Sequence, residues 1–316
     1  MVAFLRADNS TGKTTAGSIK TNIRNFRGWH CAVGYTLLSI NSRGEVWGSV
    51  CKQGGSLGNI YTGALKWPTQ FTICDRAACH CSSDLKIPKG RSLEAIKTLI
   101  NIPDSTIQPS NDLTDIVSIR RHSKGNSRIF SIDWSIGTRC NYDCSYCSPR
   151  QHNNRSPHLP LQQFCAAWDV ITDRIKQPIL LTMLGGEPTI NPEYLDMLAY
   201  ASSPTTTIVT TTNGTAHVSK LIAALSYGGM TISIHQEYCN IPKMIEKIAI
   251  LAKHINTGFL NISFMMPPNT SQQFLAFKDA LPVVKGLNIE AVPIFNGSTF
   301  ELLHYEPHEL EIIATN

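Results

Sequence analysis

The stretch "IGTRCNYDCSYCSPR", residues 136–150, carries three cysteines within eight residues. Cys140, Cys144 and Cys147 are separated by three and then by two residues. Three thiolates are one short of the four ligands that a structural zinc ion takes, and an odd number cannot pair completely as disulfides. Three thiolates can instead hold three irons of a [4Fe–4S] cube and leave the fourth iron open to a small molecule. The stretch therefore predicts such a cluster, and a zinc site completed by His152 is the alternative.

The composition is that of an ordinary globular protein. The chain has 316 residues, of which 42% are hydrophobic and 16% charged, and its formal net charge is +5. This length allows one large domain and a smaller one, and the mild positive charge permits an anionic partner without requiring one. The sequence has neither a run of about 18 apolar residues, which a membrane span needs, nor an apolar signal-peptide core. We expect a cytoplasmic protein without a membrane partner, in which ten reduced cysteines serve as metal ligands or catalytic groups.

From residue 129 onward, apolar strands and amphipathic helices alternate. The strands are expected at 129–136, 179–184, 206–211, 230–235, 260–266 and 289–295, and the helices at 161–176, 192–202, 216–226, 242–255 and 271–285. This alternation predicts a parallel sheet of α/β class. Six strands are too few for a closed eight-stranded barrel, so we expect a partial (β/α)6 TIM-type barrel over 129–316. Its chemistry should lie at the C-terminal ends of the strands.

The part of the chain before residue 129 has a different texture. Residues 1–27 are polar and are expected to form a loose lead-in. Residues 28–90 are rich in Gly and Cys, so we expect a small domain that a bound metal stabilises. Residues 91–128 contain one short helical stretch, 92–100, and otherwise indicate a linker.

The spacing of Cys140, Cys144 and Cys147, with Tyr146 before the last cysteine, resembles the hallmark of the radical S-adenosylmethionine (radical SAM) superfamily. Further stretches resemble motifs of that family, in the same order and each at the end of a predicted strand. They are "GGEP" at 185–188, "TNG" at 212–214, "ISIH" at 232–235 and "VPI" at 292–294.

The resemblance implies a [4Fe–4S] cluster with S-adenosylmethionine on its open iron. It implies cofactor contacts from Gly185, Gly186, Glu187, Thr212, Asn213, Ser233, His235 and Val292. The implied reaction is one-electron cleavage of the cofactor to methionine and a 5′-deoxyadenosyl radical, which abstracts hydrogen from a substrate. An electron donor such as flavodoxin or ferredoxin and sensitivity to oxygen are also implied. Cys239, just after the fourth strand, is a candidate hydrogen-atom donor, with apolar packing as the alternative.

The cysteines before the barrel carry a second resemblance. Residues 31–81 are similar to the SPASM or twitch extension of radical SAM enzymes, although that extension usually follows the barrel. The candidate ligands are Cys31, Cys51, Cys74, Cys79 and Cys81. Five cysteines are too few for two fully ligated clusters, so we expect one auxiliary [4Fe–4S] cluster, with a zinc knuckle as the alternative.

Three classes of function follow from these motifs. SPASM-type extensions most often accompany peptide or protein substrates, which makes that class the first expectation. A nucleotide, a nucleic acid or a small metabolite is the second, and the mild basic charge and "SIRRHSKGNSR" at 118–128 lean toward it. The third is a non-catalytic metal-bound interaction protein. The intact cysteine loop and the "GGEP" stretch argue against the third, because a degenerate barrel has no reason to keep both.

Overall fold

The protein divides into two compact units. The computed structural model describes residues 1–23, 25–76, 79, 82–122, 129–148, 152–256, 258–298 and 301–315. Unit 1 comprises Met1–Asp133 and Val170–Leu180, and unit 2 comprises Trp134–Asp169 and Leu181–Asn316. Cys81 lies outside the described residues. Within the described ranges, no helix has the length and apolar character needed to cross a bilayer.

Unit 1 is built mainly from short antiparallel strands. Its strands are β1 Val2–Arg6, β2 Thr11–Thr14, β3 His30–Cys31, β4 Leu37–Ile40, β5 Glu45–Trp47, β6 Ser56–Asn59, β7 Ala64–Leu65, β8 Thr72–Ile73, β9 Lys89–Gly90 and β10 Ile116–Arg121. Its helices are α1 Ala16–Asn22, α2 Ser82–Leu85 and α3 Leu93–Asn101. One sheet has the order β2-β1-β10-β9-β3-β8, while β4 to β7 form an antiparallel meander.

The predicted lead-in and linker are corrected by this sheet. Strand β1 is buried from Val2 to Leu5 and pairs antiparallel with both β2 and β10. Residues 1–27 and 91–128 therefore supply central strands of unit 1, together with helix α3, whose N-cap is Ser92. The apolar run of β1 is too short to show a period, and its partner β10 lies more than a hundred residues away. Only tertiary pairing identifies such a strand.

Unit 2 contains most of the alternating strands and helices expected from the sequence. The strands are β11 Phe130–Ser135, β12 Ile179–Leu184, β13 Thr206–Thr212, β14 Gly228–His235, β15 Leu260–Met266 and β16 Leu287–Pro293. The helices are α4 Leu161–Arg174, α5 Tyr194–Ala201, α6 Val218–Leu225, α7 Ile241–Ala252, α8 Ser271–Asp279 and α9 Pro307–Thr315. The strands neighbour one another in chain order, and β13 to β16 pair in parallel. The division between the units falls within β11, β12 and α4. The mixed α/β class is thus confirmed.

The parallel strands separate a core face from a second, more accessible face. Along β14, Met230, Ile232 and Ile234 are buried, whereas the alternate residues are half-buried. Parallel register places His235 beside Met265 of β15, and Met265 beside Val292 of β16. Because residues in register lie on the same face of a sheet, these three side chains form one row at the C-terminal ends of the strands.

We expect Phe4→Ala in β1 to destabilise unit 1 by about 3–5 kcal/mol, because it leaves a cavity in a packed core. Phe4 is fully buried in a cluster with Phe26, Trp29 and Ile119. Hydrogen exchange of the β10 amides, followed by mass spectrometry, should accelerate in this variant. Leu93→Ala is the control, because Leu93 is 44% exposed. If the β10 amides exchanged at the same rate in Phe4→Ala as in the native protein, residues 1–27 would have to be regarded again as a loose lead-in.

Candidate functional site

The three cysteines of the loop after β11 lie close enough to influence one another's titration. Cys144 is buried, while Cys140 and Cys147 are half-buried. Burial, and then the charges of Glu237, Cys147 and Cys140, raise the pKa of Cys144 to about 12. Burial also raises the pKa of Cys140 and of Cys147. Thiols in this state are protonated at neutral pH, so any metal that they bind must displace protons.

The described side chains around the cysteine loop bear on the choice between an iron–sulfur cube and a zinc ion. Within the described part of the chain, no three His, Cys, Asp or Glu side chains stand close enough to hold a single metal ion. A cube makes a different demand, because each iron takes its own thiolate and the three sulfurs need not converge on one atom. His152 Nε2 lies 2.6 Å from Oδ1 of Asp143, and its buried Nδ1 has no hydrogen-bond partner among the described residues. The zinc site completed by His152 stays an alternative prediction.

Gly185 and Gly186 let the end of β12 approach the backbone that leads into the cysteine loop. Gly185 has φ +154°, and a Cβ there would lie 2.5 Å from the carbonyl oxygen of Gly137. A Cβ at Gly186 would overlap the carbonyl oxygens of Thr138 and Arg139. The amide of Gly186 donates to the carbonyl of Gly137 at 3.0 Å. The two glycines thus allow the end of β12 to contact the protein's own backbone. This contact positions the first residues of the cysteine loop.

Glu187 is a buried carboxylate, and both of its oxygens accept hydrogen bonds from neighbouring protein groups. Its Oε1 accepts from the amide and the hydroxyl of Thr189, and from the hydroxyl of Thr212 at 2.7 Å. Its Oε2 accepts from the amide of Asn213 at 2.6 Å. Burial raises the pKa of Glu187, and these donors act in the opposite direction. In this structure the carboxylate holds the turn after β13 through the Thr212 hydroxyl and the Asn213 amide.

Side-chain hydrogen bonds connect the turn after β13 to the cysteine loop. Nδ2 of Asn213 donates to Oδ1 of Asn141 at 2.9 Å. Nδ2 of Asn141 donates to the hydroxyl of Thr215 at the same distance. Asn141 directly follows Cys140, so the buried Glu187 is connected through Asn213 to the residue next to the first cysteine.

The segment after β14 holds the other half of the cysteine loop. The exposed Glu237 carboxylate accepts from the amide of Ser145 at 2.8 Å and from its hydroxyl. The Tyr146 hydroxyl lies 2.8 Å from Nδ1 of His235, and the two rings stack with centroids 5.8 Å apart. Burial lowers the pKa of His235 to about 4. The imidazole is therefore neutral at pH 7 and available as a hydrogen-bonding group.

The remaining predicted cofactor residues lie along the same strand ends. Ser233 and His235 are half-buried on β14, and Val292 belongs to the row that His235 begins. The amide of Cys239 donates to the carbonyl of His235 at 2.9 Å. Burial raises the pKa of the Cys239 thiol to about 11. The structure thus brings the predicted residues of β12, β13 and β14 around the cysteine loop, and their contact with a cofactor stays a prediction.

Four of the five cysteines predicted as auxiliary ligands line one cavity in unit 1. They are Cys31, Cys51, Cys74 and Cys79. Cys31 and Cys74 are buried, and the other two are half-buried. Burial raises the pKa of Cys31 to about 12 and that of Cys79 to about 11. The cavity has a volume of about 20 Å³, which is room for about one water molecule. A [4Fe–4S] cube is larger than one water molecule, so the cavity would have to widen to hold it.

A buried cation and a buried carboxylate accompany these thiols. The Lys89 ammonium donates to the carbonyl of Asp84 at 2.5 Å and lies 3.6 Å from Sγ of Cys79. The Asp84 carboxylate accepts from the amides of Val50 and Cys51, both at 2.7 Å. Asp84 therefore fixes the backbone at Cys51, and Lys89 supplies positive charge where thiolates would add negative charge.

Several residues at both sites lie outside the motifs that sequence reasoning used. Gly297, beyond β16, packs against the cysteine loop, and a Cβ there would lie 2.7 Å from the carbonyl oxygens of Tyr146 and Cys147. Asn141 and Ser145 lie between the cysteines, where a helix or strand period does not apply. Position within the cysteine loop is the one sequence signal that could have identified them. No pattern distinguishes Asp84 or Lys89 from surface charges.

Comparison with known proteins adds two findings. A family model described as the Radical SAM superfamily matches residues 134–248. A GTP 3′,8-cyclase from Shewanella denitrificans (strain OS217) is 32% identical over 84 residues. The similar region covers 25% of this chain and 24% of the cyclase.

We expect the free energy of unfolding to fall by about 1–3 kcal/mol between pH 6.5 and pH 4 because of His235. Its pKa is about 4 in the folded protein against an ordinary value of 6.5. The unfolded chain therefore takes up the proton first as the pH falls, and that uptake favours unfolding. Urea titrations from pH 7 to pH 4 should show a shallower loss in His235→Asn than in the native protein. His254→Asn is the exposed control, and equal pH slopes in all three proteins would contradict the expectation.

Proposed function

We propose that the protein is a radical SAM enzyme, because the Radical SAM superfamily model matches residues 134–248. The observation that carries the proposal is the loop with Cys140, Cys144 and Cys147. Its thiols influence one another's pKa, and all three lie within the stretch that the Radical SAM family model matches. A [4Fe–4S] cluster on these thiols keeps one iron open for S-adenosylmethionine.

When bound, these cofactors supply one-electron cleavage of the C5′–S bond, which releases methionine and a 5′-deoxyadenosyl radical for hydrogen abstraction. The chain contributes the placement of its own groups. Glu187 keeps the turn after β13 in position, and Asn213 holds the cysteine loop through Asn141. Glu237 and His235 hold Ser145 and Tyr146 of the same loop. Such placement determines whether bound groups meet in a reactive orientation.

The proposal includes a partial (β/α)6 barrel for the catalytic unit. Six strands that follow one another in sheet order, with β13 to β16 parallel, support it. The loops that carry the candidate site leave the C-terminal ends of β11 to β14, where barrel enzymes place their chemistry. Cys239 lies on the last of these loops and is the proposed hydrogen-atom donor.

The proposal also includes an auxiliary [4Fe–4S] cluster in unit 1, of the SPASM or twitch kind. Its support is the gathering of Cys31, Cys51, Cys74 and Cys79 around one cavity. Four thiolates complete such a cluster without an open iron. A structural zinc ion with four thiolates is the competing occupant. Cleavage of the cofactor consumes one electron, so a donor such as flavodoxin or ferredoxin belongs to the proposal.

Two substrate classes have specific support. The likeness of residues 31–81 to SPASM-type extensions favours a peptide or protein. The likeness to a GTP 3′,8-cyclase favours a nucleotide. The similarity to the cyclase covers only about a quarter of each chain, so it supports a shared segment and not a shared overall reaction. We propose the peptide or protein as the first candidate and the nucleotide as the second.

We expect the anaerobically reconstituted protein to hold about eight irons per chain and to form 5′-deoxyadenosine with dithionite and S-adenosylmethionine. The triple variant with alanine at Cys140, Cys144 and Cys147 should lose 5′-deoxyadenosine formation and keep about four irons, because it removes only the open cluster. Adding Cys74→Ala should remove the remaining iron. Iron, sulfide and zinc analysis together with chromatography of the nucleoside product checks each step.

Cys165→Ala is the matched control, because Cys165 lies on helix α4 and belongs to neither set of thiols. It should change neither iron content nor product. An iron content that the triple variant leaves unaltered would rule out the cluster on the cysteine loop. Four irons in the native protein accompanied by one zinc would replace the auxiliary cluster with a zinc site.

Substrate class can be decided by the transfer of deuterium from candidate substrates into 5′-deoxyadenosine, because the abstracted hydrogen ends on the 5′ carbon. Deuterated peptides of mixed sequence and deuterated guanosine triphosphate are the two probes. We expect label from the peptides, measured by mass spectrometry of the nucleoside. Label from the nucleotide alone would reverse the order of the two classes, and unlabelled 5′-deoxyadenosine with both probes would exclude both.

A further inference from the structure

Unit 1 contains a larger cavity that neither set of thiols uses. Its volume is about 420 Å³, and no cysteine is among its described lining residues. Small-molecule sites in proteins typically range from about 300 to 1,000 Å³. Ile87 contributes to the walls of this cavity and of the thiol cavity. The larger cavity is therefore of ligand size and lies next to the proposed auxiliary centre.

One side of the cavity is apolar and partly aromatic. The rings of Tyr35 and Phe71 pack edge to face there, with centroids 4.9 Å apart and an interplanar angle of 87°. Ile87 and Pro88, both buried, continue the same lining. A flat apolar group can pack against such rings with little loss of side-chain freedom, because they already hold each other in place.

The other side is polar, and one of its arginines is committed to the fold. The Arg120 guanidinium donates to Asp104 at 2.5 Å and to the carbonyls of Leu99 and Ile102 at 2.9 and 2.8 Å. These bonds satisfy the guanidinium and neutralise its charge. Arg120 therefore contributes to the structure of the cavity wall and is not expected to bind a ligand.

Two further cations belong to the lining besides Arg120. Lys86 and Arg121 both line the cavity, and the amide of Arg121 donates to the carbonyl of Lys86 at 3.0 Å. Burial lowers the pKa of Arg121, and Asp133 opposes that change. Burial lowers the pKa of the Met1 amine as well, and the charges of Lys86 and Arg121 add to it. Lys86 and Arg121 are both half-buried, and neighbouring cations in such a place are stabilised by an anion that binds between them.

A buried hydroxyl stands in the same lining. The Ser131 side chain is 3% exposed, and its Oγ has no hydrogen-bond partner among the described residues. An unsatisfied buried hydroxyl costs free energy unless a ligand or a water supplies the missing bond. Ser131 thus adds a polar group that a bound molecule can satisfy.

We propose that this cavity binds a small organic anion, with its carboxylate or phosphate beside Lys86 and Arg121 and its apolar body against Tyr35 and Phe71. The proposal does not depend on radical SAM chemistry, because none of the thiols takes part. A ligand there would lie against Ile87 and so adjoin the thiol cavity.

The test uses the full chain without added iron and four probes that share one phenyl ring: phenyl phosphate, phenylacetate, benzyl alcohol and benzylamine. Isothermal titration calorimetry at low ionic strength gives each Kd. At least one of the two anions should bind ten-fold or more tightly than the neutral alcohol, and the amine should not bind. Which of the two anions binds more tightly distinguishes a phosphate ligand from a carboxylate ligand.

Lys86→Met should weaken the anion at least ten-fold, whereas Lys97→Met, on the exposed face of α3, should leave its Kd unchanged. Arg121→Met is the second variant, and circular dichroism melting of each protein shows that it is folded. Equal binding of the anions and the alcohol would overturn the proposal. Equal effects of the Lys86 and Lys97 variants, or no heat from either anion, would also overturn it.

Discussion

A single buried carboxylate holds together the part of the structure on which the proposed chemistry depends. Glu187 is 2% exposed and accepts hydrogen bonds from Thr189, Thr212 and Asn213. A buried carboxylate is costly unless such donors surround it, and once surrounded it fixes their positions firmly. The turn after β13 is held in this way, and through Asn141 so is the start of the cysteine loop.

The cysteine loop depends on contacts with other segments, because its described residues 140–148 form neither helix nor strand. Its first half is attached to the ends of β12 and β13, where Gly185 and Gly186 allow the backbones to touch. Its second half is attached to the segment after β14, through Ser145 with Glu237 and Tyr146 with His235. Gly297 completes the support from beyond β16. Loops from separate strands therefore position the three thiols, which a short loop could not do alone.

In unit 1 the main electrostatic feature is a buried lysine beside four thiols. Four thiols gather in a small cavity, and ionising them together would concentrate negative charge away from water. The Lys89 ammonium, fully enclosed beside Cys79, offsets that charge. Asp84 then acts as a structural clamp, because its carboxylate is occupied by the amides at Val50 and Cys51. Lys86 and Arg121 of the same unit line a separate cavity.

The sequence by itself determined the features whose signals are local. The strands from β11 to β16 are apolar runs bounded by helical periods, and the cysteine spacing is a property of eight consecutive residues. Only the tertiary structure decided that β1 pairs with β10, that Glu187 faces the turn after β13, and that Lys89 lies among the thiols. The reason is physical. A hydrophobic period or a cysteine spacing depends only on residues that are close in the sequence, whereas the environment of a buried charge depends on partners that folding brings from distant positions.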